Sequence, residues 1–399
     1  MQTLSRRTAL GAGAALLAAP SIARAAAETL RIGAPLPVTG GLAPEGAKQQ
    51  RGYDLWLQAV NGSGDIEVAG QRVKVEIVYA DYQSNTPRAV QLAERLITQD
   101  KCQVLFAPQG SGATKAASSV SERYKIPMVA PTASSREVYD QNYKYLFGTF
   151  TPNETLTEPL ADIVRAKAPD VKSVAILARN DLFPLAIAQE MEKSAKARGL
   201  KVATFEKYAI GTMDHASALT EMAAVQPGWV FVTGYLNDLI LARRQMVDLR
   251  FSAPVITMIA GPAYREFIAA LGSSAENLTS AAWWHPAVRY TGCKGPWDST
   301  AAFVSAYTAK YGNVPDYGEA SSAVCGVVVQ LAAQAAGSLD PQKLRDALAG
   351  LDAPTFFGPI KFGLDGQVTS LKPPVLQIQG GKPLVLYPPE IRQADFRRV

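Results

Sequence analysis

Short apolar runs alternate with longer segments of helical periodicity through the first part of this 399-residue chain. Residues 30–36 form an apolar run, and residues 73–79 alternate between apolar and polar side chains, as strands do. Residues 46–60 and 87–99 carry apolar side chains at helical spacing. Repeated strand–helix units of this kind predict a parallel sheet with helices on both faces.

A second series of strand–helix units begins after residues 149–153, where we expect a change of domain. The expected strands are 173–177, 201–207, 229–233 and 254–258, and the expected helices are 153–167, 184–198, 216–225, 236–249 and 262–271. A chain of this length rarely forms a single core, so the two series predict an α/β protein with two doubly wound lobes.

The last third of the chain departs from this order. A strand is expected at residues 278–284, followed by two long helices at residues 297–311 and 320–336 and a short helix at 341–349. Gly-Pro, Asp-Gly and Gly-Gly pairs then separate three short predicted strands, 367–371, 374–379 and 383–386. A helical pair followed by such a β-meander indicates that the chain crosses between the lobes more than once.

Two polar turns follow neighbouring strands at the centre of the first lobe. Strand 104–107 leads into Gln109-Gly110-Ser111-Gly112-Ala113-Thr114 and a helix predicted at 113–124, and strand 126–130 leads into Pro131-Thr132-Ala133-Ser134. Parallel strands end together at the edge where open α/β sheets bind ligands. A helix amino terminus offers free N–H groups and the positive end of a dipole, which suits an anion.

These two turns predict a cradle of hydroxyl groups and backbone amides for a small carboxylate, centred on Ser111 and Ser134. An alternative is that Ser111 only caps its helix and that residues 131–134 form an ordinary turn, because serine and threonine commonly take both roles.

The first 25 residues are expected to be an export signal rather than part of the fold. Ser5-Arg6-Arg7-Thr8-Ala9-Leu10 is similar to a twin-arginine motif, and an Ala/Gly/Leu-rich stretch leads to the small-x-small cleavage site Ala23-Arg24-Ala25. Without the three arginines of this segment, 37 basic residues face 35 acidic ones. This balance does not indicate nucleic-acid binding, and we expect a periplasmic protein with no membrane-spanning segment.

Cysteine and histidine usage gives little support to catalysis or metal binding. Cys102 and Cys325 lie in apolar surroundings that predict buried thiols, and the pairing of Cys293 is left open. No Cys/His cluster has zinc-ligand spacing, and neither His215 nor His285 stands in a nucleophile–base pattern. We expect no metal, no cofactor and no enzymatic activity; the competing hypothesis of a secreted α/β enzyme lacks a G-x-S-x-G or phosphate-loop motif.

Motifs spread over nearly the whole chain resemble the periplasmic solute-binding proteins of ABC transporters, of the leucine/isoleucine/valine-binding type. The motifs that carry the resemblance include Ile32-Gly33-Ala34-Pro35-Leu36-Pro37-Val38-Thr39-Gly40-Gly41, Gly52-Tyr53-Asp54-Leu55-Trp56, Gly110-Ser111-Gly112-Ala113-Thr114 and Phe356-Phe357-Gly358-Pro359-Ile360-Lys361-Phe362. The resemblance implies a type I periplasmic-binding-protein-like fold, with a three-strand crossover hinge and a ligand in the interlobe cleft. It divides the chain into lobe 1, residues 28–149 plus 284–352, and lobe 2, residues 150–283 plus 353–399.

The resemblance also implies that residues from both lobes contact the ligand. Those residues are Ser111, Gly112, Ala133 and Ser134 on lobe 1, around the ligand carboxylate, and Phe183, Tyr235 and Pro262 on lobe 2. Trp283 and Trp284 flank one of the chain crossings; core packing is the expected role of both, and the alternative is that one of them reaches the cleft.

One position departs from the family pattern. Amino-acid-binding members carry an acidic residue after a Gly-Pro in the second lobe, to hold the ligand ammonium, whereas this chain has Ala263 there. A buried ammonium without an anion is costly. Either another acid replaces it, with Glu45 preferred over Asp238, Glu266 and Glu319, or the ligand has no ammonium. The alternative role for Glu45 is a solvated loop carboxylate, because glutamate is mostly exposed.

The expected function is that of an exported receptor that binds a small carboxylate between its lobes, closes over it and delivers it to an ABC permease. The absence of an acid at position 263 slightly favours a hydrophobic or aromatic acid over a branched-chain or other hydrophobic amino acid. A ligand sensor that signals to a membrane partner is the alternative, which the sequence does not separate from transport.

Overall fold

Fifteen strands are present in residues 28–399, the part of the chain that the computed structural model describes. The predicted export signal at residues 1–25 lies outside this part. The strands are β1 Thr29–Leu36, β2 Ile66–Val68, β3 Gln71–Asp81, β4 Val104–Phe106, β5 Met128–Ala130, β6 Leu146–Gly148, β7 Ser173–Arg179, β8 Lys201–Tyr208, β9 Trp229–Thr233, β10 Val255–Ile259, β11 Thr279–Ala281, β12 Asp352–Thr355, β13 Gly358–Lys361, β14 Val375–Gln379 and β15 Lys382–Tyr387.

Eleven α-helices lie between these strands in the described residues. They are α1 Ala43–Gly62, α2 Thr86–Thr98, α3 Gly110–Tyr124, α4 Glu154–Lys167, α5 Leu182–Ala197, α6 Ala216–Ala224, α7 Leu236–Asp248, α8 Arg265–Leu271, α9 Thr300–Tyr311, α10 Tyr317–Ala336 and α11 Pro341–Ala349. No single one of these helices is long and apolar enough to cross a membrane, although α10 and α11, bent by 108° relative to each other, pass that test as a pair on length and composition.

The strands form one central sheet in each of two lobes. The first sheet has the order β2-β3-β1-β4-β5-β6, and only the edge strand β2 is antiparallel to its neighbour. The second has the order β15-β14-β11-β10-β9-β7-β8, in which β14 is antiparallel to both of its neighbours and the other neighbouring strands are parallel. The predicted two-lobed α/β fold with central parallel sheets is therefore confirmed.

Helices α1 and α10 pack against each other across the first lobe because glycines let their backbones approach. A β-carbon on Gly52 would lie 2.3 Å from the carbonyl oxygen of Glu319, and one on Gly326 would lie 2.1 Å from the ring of Trp56. The fully buried Trp56 therefore fills the space that Gly326 leaves open. This close pairing places the polar first turns of both helices beside the cleft.

The chain passes between the lobes three times: after β6, after β11 and after α11. Side chains of the crossing segments join one another. The rings of Phe150 and Trp283 stack with centroids 4.2 Å apart, and Trp283 Nε1 donates to the carbonyl of Thr151 at 3.1 Å. Gln367 Nε2 donates to the carbonyls of Phe150 and Ser134. The three crossings thus form one hydrogen-bonded and stacked unit beneath the cleft.

Three details differ from the sequence predictions. Helix α3 begins at Gly110 instead of after Ser111, because Gly110 at φ +81° and Gln109 already make the turn. Residues 367–371 do not form a strand; Gln367 and Val368 make only isolated bridges, to Gly148 and Phe362. The short strands β2 and β12 have no counterpart among the predictions, whereas β13 lies in the 356–362 motif that resembles a late strand of the family. Buried thiols at Cys102 and Cys325 are confirmed.

Candidate functional site between the lobes

The first turn of α3 presents backbone amides at the carboxyl edge of the first sheet. Gln109 is its N-cap residue, and the amide of Gly110 donates to Thr132 Oγ1 at 3.0 Å. The next two amides, those of Ser111 and Gly112, have no acceptor among the described residues. Free N–H groups at the positive end of a helix dipole are suited to an anion.

Ser111 joins α3 to the second polar turn. Its Oγ accepts hydrogen bonds from the amides of Ser134 and Ser135, both at 3.3 Å, and all three residues are fully buried. The carbonyl of Ala133 accepts from the hydroxyl of Tyr139 at 2.8 Å. The Oγ atoms of Ser134 and Ser135 have no partner among residues 28–399. Ser111 therefore shapes the turn that, in the sequence prediction, holds the carboxylate.

Lobe 2 places two aromatic side chains opposite this turn. Phe183 lies in the first turn of α5, after Asp181, whose carboxylate caps that helix. Tyr235 is the N-cap residue of α7, where its amide donates to Asp238 Oδ2 at 3.0 Å. Asp238 also accepts from Arg179, whose guanidinium lies 4.9 Å from the centroid of the Tyr235 ring. Capping, ion pairing and cation–π contact thus fix the direction of Tyr235.

Tyr235 reaches across to lobe 1 at a position that only glycine permits. A β-carbon on Gly110 would lie 2.7 Å from the Tyr235 hydroxyl oxygen, and the backbone of Gly110 has a left-handed φ of +81°. Both the conformation and the close approach disfavour any side chain at this residue. The two lobes are therefore in contact directly over the amino terminus of α3.

A small cavity of about 20 Å³ remains between the lobes. This is room for about one water-sized group, whereas small-molecule sites usually offer about 300–1,000 Å³. A metabolite consequently enters only when the lobes part or the lining side chains move. The lining residues are Glu45, Gln109, Thr132, Phe150, Phe183, Tyr235, Leu236, Ala260, Tyr264, Trp283 and Tyr317.

Six aromatic rings dominate this lining and form one connected cluster of stacked and tilted pairs. Besides the Phe150–Trp283 pair, Tyr264 and Tyr317 stack with centroids 5.0 Å apart, and Trp283 lies 5.8 Å from Phe183 and 5.5 Å from Tyr317. Aromatic pairs at such distances attract each other beyond the effect of burial alone. The walls therefore suit an apolar or cationic group on the ligand.

Two acceptor atoms interrupt the aromatic lining. Glu45 is buried, and its Oε1 accepts from the amide of Leu236 in the other lobe at 3.1 Å. Its Oε2, like Oε1 of Gln109, has no hydrogen-bond partner among the described residues. Burial raises the pKa of the Glu45 carboxyl, although the Leu236 amide and Lys48 oppose this.

A cluster of charges lies beside the cavity and spans the lobes. Lys48 Nζ is 2.6 Å from Asp316 on α10 and 2.8 Å from Glu266 on α8, and it lies 4.5 Å from the Tyr264 ring centroid. Glu319 accepts from Arg51, and Arg265 of lobe 2 approaches it at 3.4 Å. Despite burial, Lys48, hydrogen bonds from the Asp316 residue and Arg51 lower the pKa of Glu319.

The structure brings three of the eight residues predicted to contact the ligand into the cavity wall: Glu45, Phe183 and Tyr235. Gln109 and Thr132 line the wall in place of their neighbours in the chain, Ser111, Gly112, Ala133 and Ser134. Pro262 is buried in a 3₁₀ turn beside Ala260. Trp283, for which packing was expected, lines the cavity, whereas Trp284 packs on Phe303 and Phe357.

Sequence reasoning did not select Gln109, Thr132, Phe150, Tyr264 or Tyr317. The first two stand one or two residues from selected positions, so the turns themselves were the available signal. Tyr264 follows the Gly-Pro-Ala motif directly and Tyr317 opens α10, but an aromatic residue at either position is also typical of a core.

Two doubly wound lobes, three crossings and a polar–aromatic cavity between the lobes define a ligand-binding receptor. A family model described as "Periplasmic binding protein" matches residues 29–382, and the chain belongs to this family.

A relative from Brucella abortus, "Leu/Ile/Val-binding protein homolog 8", is 27% identical over 407 residues, which cover 98% of either chain. Two solved structures show the same fold. The branched-chain amino acid substrate-binding protein LivJ of Streptococcus pneumoniae, in complex with isoleucine, has a TM-score of 0.80 at 24% identity and covers 90% of this chain and 100% of its own. A solute-binding protein of R. palustris in complex with benzoate has a TM-score of 0.77 at 21% identity and covers 90% of this chain and 95% of its own.

Proposed function

We propose that this chain is an exported solute receptor that binds a small carboxylate in the interlobe cavity and passes it unchanged to an ABC permease. The observation that carries the proposal is the cavity itself, where six aromatic rings share the wall with Gln109, the N-cap residue of α3, and with Thr132. The relatives named above bind solutes of two kinds, an amino acid in one structure and benzoate in another. Both carry a carboxylate beside an apolar group.

The proposal assigns the carboxylate to the first turn of α3 and the turn at 131–135. Ser111, Gly112, Ala133 and Ser134 position the amides, and Phe183 and Tyr235 close over the ligand with the Pro262 turn behind them. Residues 1–25 act as a twin-arginine-type export signal, and the lobes are 28–149 plus 284–352 and 150–283 plus 353–399. The ligand contacts both lobes only in the closed form, so ligand binding selects closure.

The test is a thermal-shift screen of amino acids against aromatic and aliphatic carboxylic acids, followed by calorimetry of each hit. A ligand at 100 times its Kd stabilises the folded protein by about 2.7 kcal/mol, which is readily measured. We expect at least one compound to bind with 1:1 stoichiometry and to be recovered unchanged. Failure of every compound to stabilise the protein, or conversion of a bound compound, contradicts the proposal.

A further inference from the structure

We infer that Glu45, on lobe 1, selects for a positively charged nitrogen on the ligand and so takes over the role that the residue at position 263 leaves vacant. The inference rests on the proposed function, because it concerns the charge of the solute that enters the interlobe cavity. It reverses the slight sequence-based preference for an acid without an amino group.

Position 263 itself offers no counter-ion and no direct access to the cavity. Ala263 is buried in the 3₁₀ turn Gly261–Ala263, and Ala260 of the same segment is the residue that reaches the cavity wall. A positive group on the ligand therefore depends on an acid from elsewhere in the site.

Three of the four candidate acids are already neutralised by protein partners. Asp238 is paired with Arg179 and accepts the Tyr235 amide. Glu266 is paired with Lys48 and Arg265. Glu319 accepts from Arg51 and from the Tyr307 hydroxyl. None of these three lines the cavity.

Glu45 differs from these acids both in its pairing and in its position at the cavity. It lines the cavity, is 3% exposed and keeps Oε2 without a partner among the described residues. Buried polar atoms in native proteins are nearly always hydrogen-bonded, so an unpartnered carboxylate oxygen at a cavity wall indicates that a donor arrives with the ligand. The unpartnered Oε1 of Gln109 adds a second acceptor to the same wall.

The surroundings of Glu45 favour a cation over a neutral donor. Tyr235, Tyr264 and Tyr317 line the same cavity, and aromatic faces attract cations. Lys48, the basic residue whose charge acts on Glu45, already forms ion pairs with Asp316 and Glu266. The Glu45 carboxylate among aromatic rings, together with the free amides of α3 that follow Gln109 in the chain, fits a zwitterion.

The arrangement also couples ligand charge to closure. Glu45 Oε1 accepts the Leu236 amide at the amino terminus of α7, so one carboxylate joins the ligand nitrogen to the other lobe. A glutamine at this position keeps an oxygen for the Leu236 amide but lacks the charge. Glu45→Gln therefore separates recognition of charge from the contact that closes the lobes.

The experiment compares pairs of compounds that differ only in the amino group: L-leucine against 4-methylpentanoate and L-phenylalanine against 3-phenylpropanoate, each by calorimetry. We expect the wild type to prefer the amino acid of a pair, and Glu45→Gln to weaken its binding at least about 30-fold while the deaminated acid binds unchanged or more tightly. Glu45→Asp, which keeps the charge, is expected to regain part of the preference.

Glu266→Gln is the matched control, because it removes an interlobe carboxylate that does not line the cavity. It is expected to change the affinity for both members of a pair by the same factor. If the wild type binds the deaminated acid as tightly as the amino acid, or if Glu45→Gln weakens both equally, the role of Glu45 as counter-ion is overturned while the proposed function stands. If neither member of either pair binds and no compound of the wider screen does, the proposed function fails and this inference with it.

Discussion

His285 is held neutral by two hydrogen bonds that a protonated ring cannot make together. Its Nε2 donates to the carbonyl of Pro383 at 3.1 Å, and its Nδ1 accepts from the amide of Ala287 at 3.1 Å. Protonation would place a hydrogen on Nδ1 against that amide. Burial lowers the pKa of His285 to about 4, and the Pro383 carbonyl only partly opposes this.

We expect the lowered pKa of His285 to destabilise the protein in acid. Between pH 6.5 and 4 the unfolded chain binds a proton at this residue and the folded chain does not, so the free energy of unfolding falls as pH falls, by up to about 3 kcal/mol. Urea unfolding at pH 7, 5.5 and 4 measures this, with His285→Gln as the comparison. Parallel pH profiles for the two proteins would contradict the assignment.

Glu45 is predicted to destabilise the ligand-free protein at neutral pH. Because its folded-state pKa lies above the usual 4.5, the folded chain holds a proton that the unfolded chain releases, and stability falls as pH rises through this interval. Glu45→Gln is therefore expected to raise the melting temperature of the ligand-free protein at pH 7 but not at pH 4. A variant that melts lower than the wild type at pH 7 would show that the carboxylate stabilises the closed lobes instead.

At the scale of elements, Ser111 joins helix α3 to the neighbouring turn. Ser111→Ala leaves the buried amides of Ser134 and Ser135 without their shared acceptor, which we expect to cost about 1–3 kcal/mol of unfolding free energy. Ser119→Ala is the control, since Ser119 is an exposed serine of the same helix that donates to the carbonyl of Ala116. Equal stability of the two variants by chemical denaturation would mean that the Ser111 contact contributes little.

Long periodic segments of this chain were predictable, and short ones were not. Strand β1 is a continuous apolar run, helices α2 and α5 each bury an apolar face, and their patterns alone located them. Strands β12 and β13 contain Pro354 and Pro359, which obscure any alternation, and their pairing depends on tertiary contacts. Gln367 joins two chain crossings through its side-chain amide, and a single glutamine after Asp-Gly carries no local signal of that role.

The candidate site was predictable to within a residue or two on lobe 1 and less well elsewhere. The strand ends and the helix amino terminus locate the turns at 109–114 and 131–135, but which side chain of each turn faces the cavity depends on the backbone conformation of the turn. Gln109 and Thr132, instead of Ser111 and Ser134, lie in the cavity wall, and Gly110 at φ +81° turns the chain between Gln109 and Ser111. Tyr264 and Tyr317 meet only because the lobes close, which no local pattern records.

At the scale of the whole molecule, the charges around Lys48 have two separate effects. Within lobe 1, Lys48 pairs with the buried Asp316 and lies 3.9 Å from the buried Glu319, so Lys48→Met leaves Asp316 without its basic partner and Glu319 with Arg51. Removing one partner of a buried pair costs about 3–5 kcal/mol. We expect this variant to unfold at markedly lower denaturant concentration, whereas a small change would show that Arg51 alone suffices for Glu319.

Between the lobes, Lys48 also pairs with Glu266, and this contact exists only while the lobes are closed. The Glu266 side chain is 37% exposed, so solvent screens the pair and its contribution is at most about 1 kcal/mol. Glu266→Gln is therefore expected to leave the stability of each lobe unchanged, to shift the ligand-free protein toward the open form in solution scattering, and to weaken ligand binding about two- to fivefold. Added salt already weakens the exposed Lys48–Glu266 pair in the wild type. The loss of affinity caused by Glu266→Gln should therefore shrink as salt is added. A loss of affinity that does not depend on salt would place Glu266 in direct contact with the ligand and require the lobes to close in a different orientation.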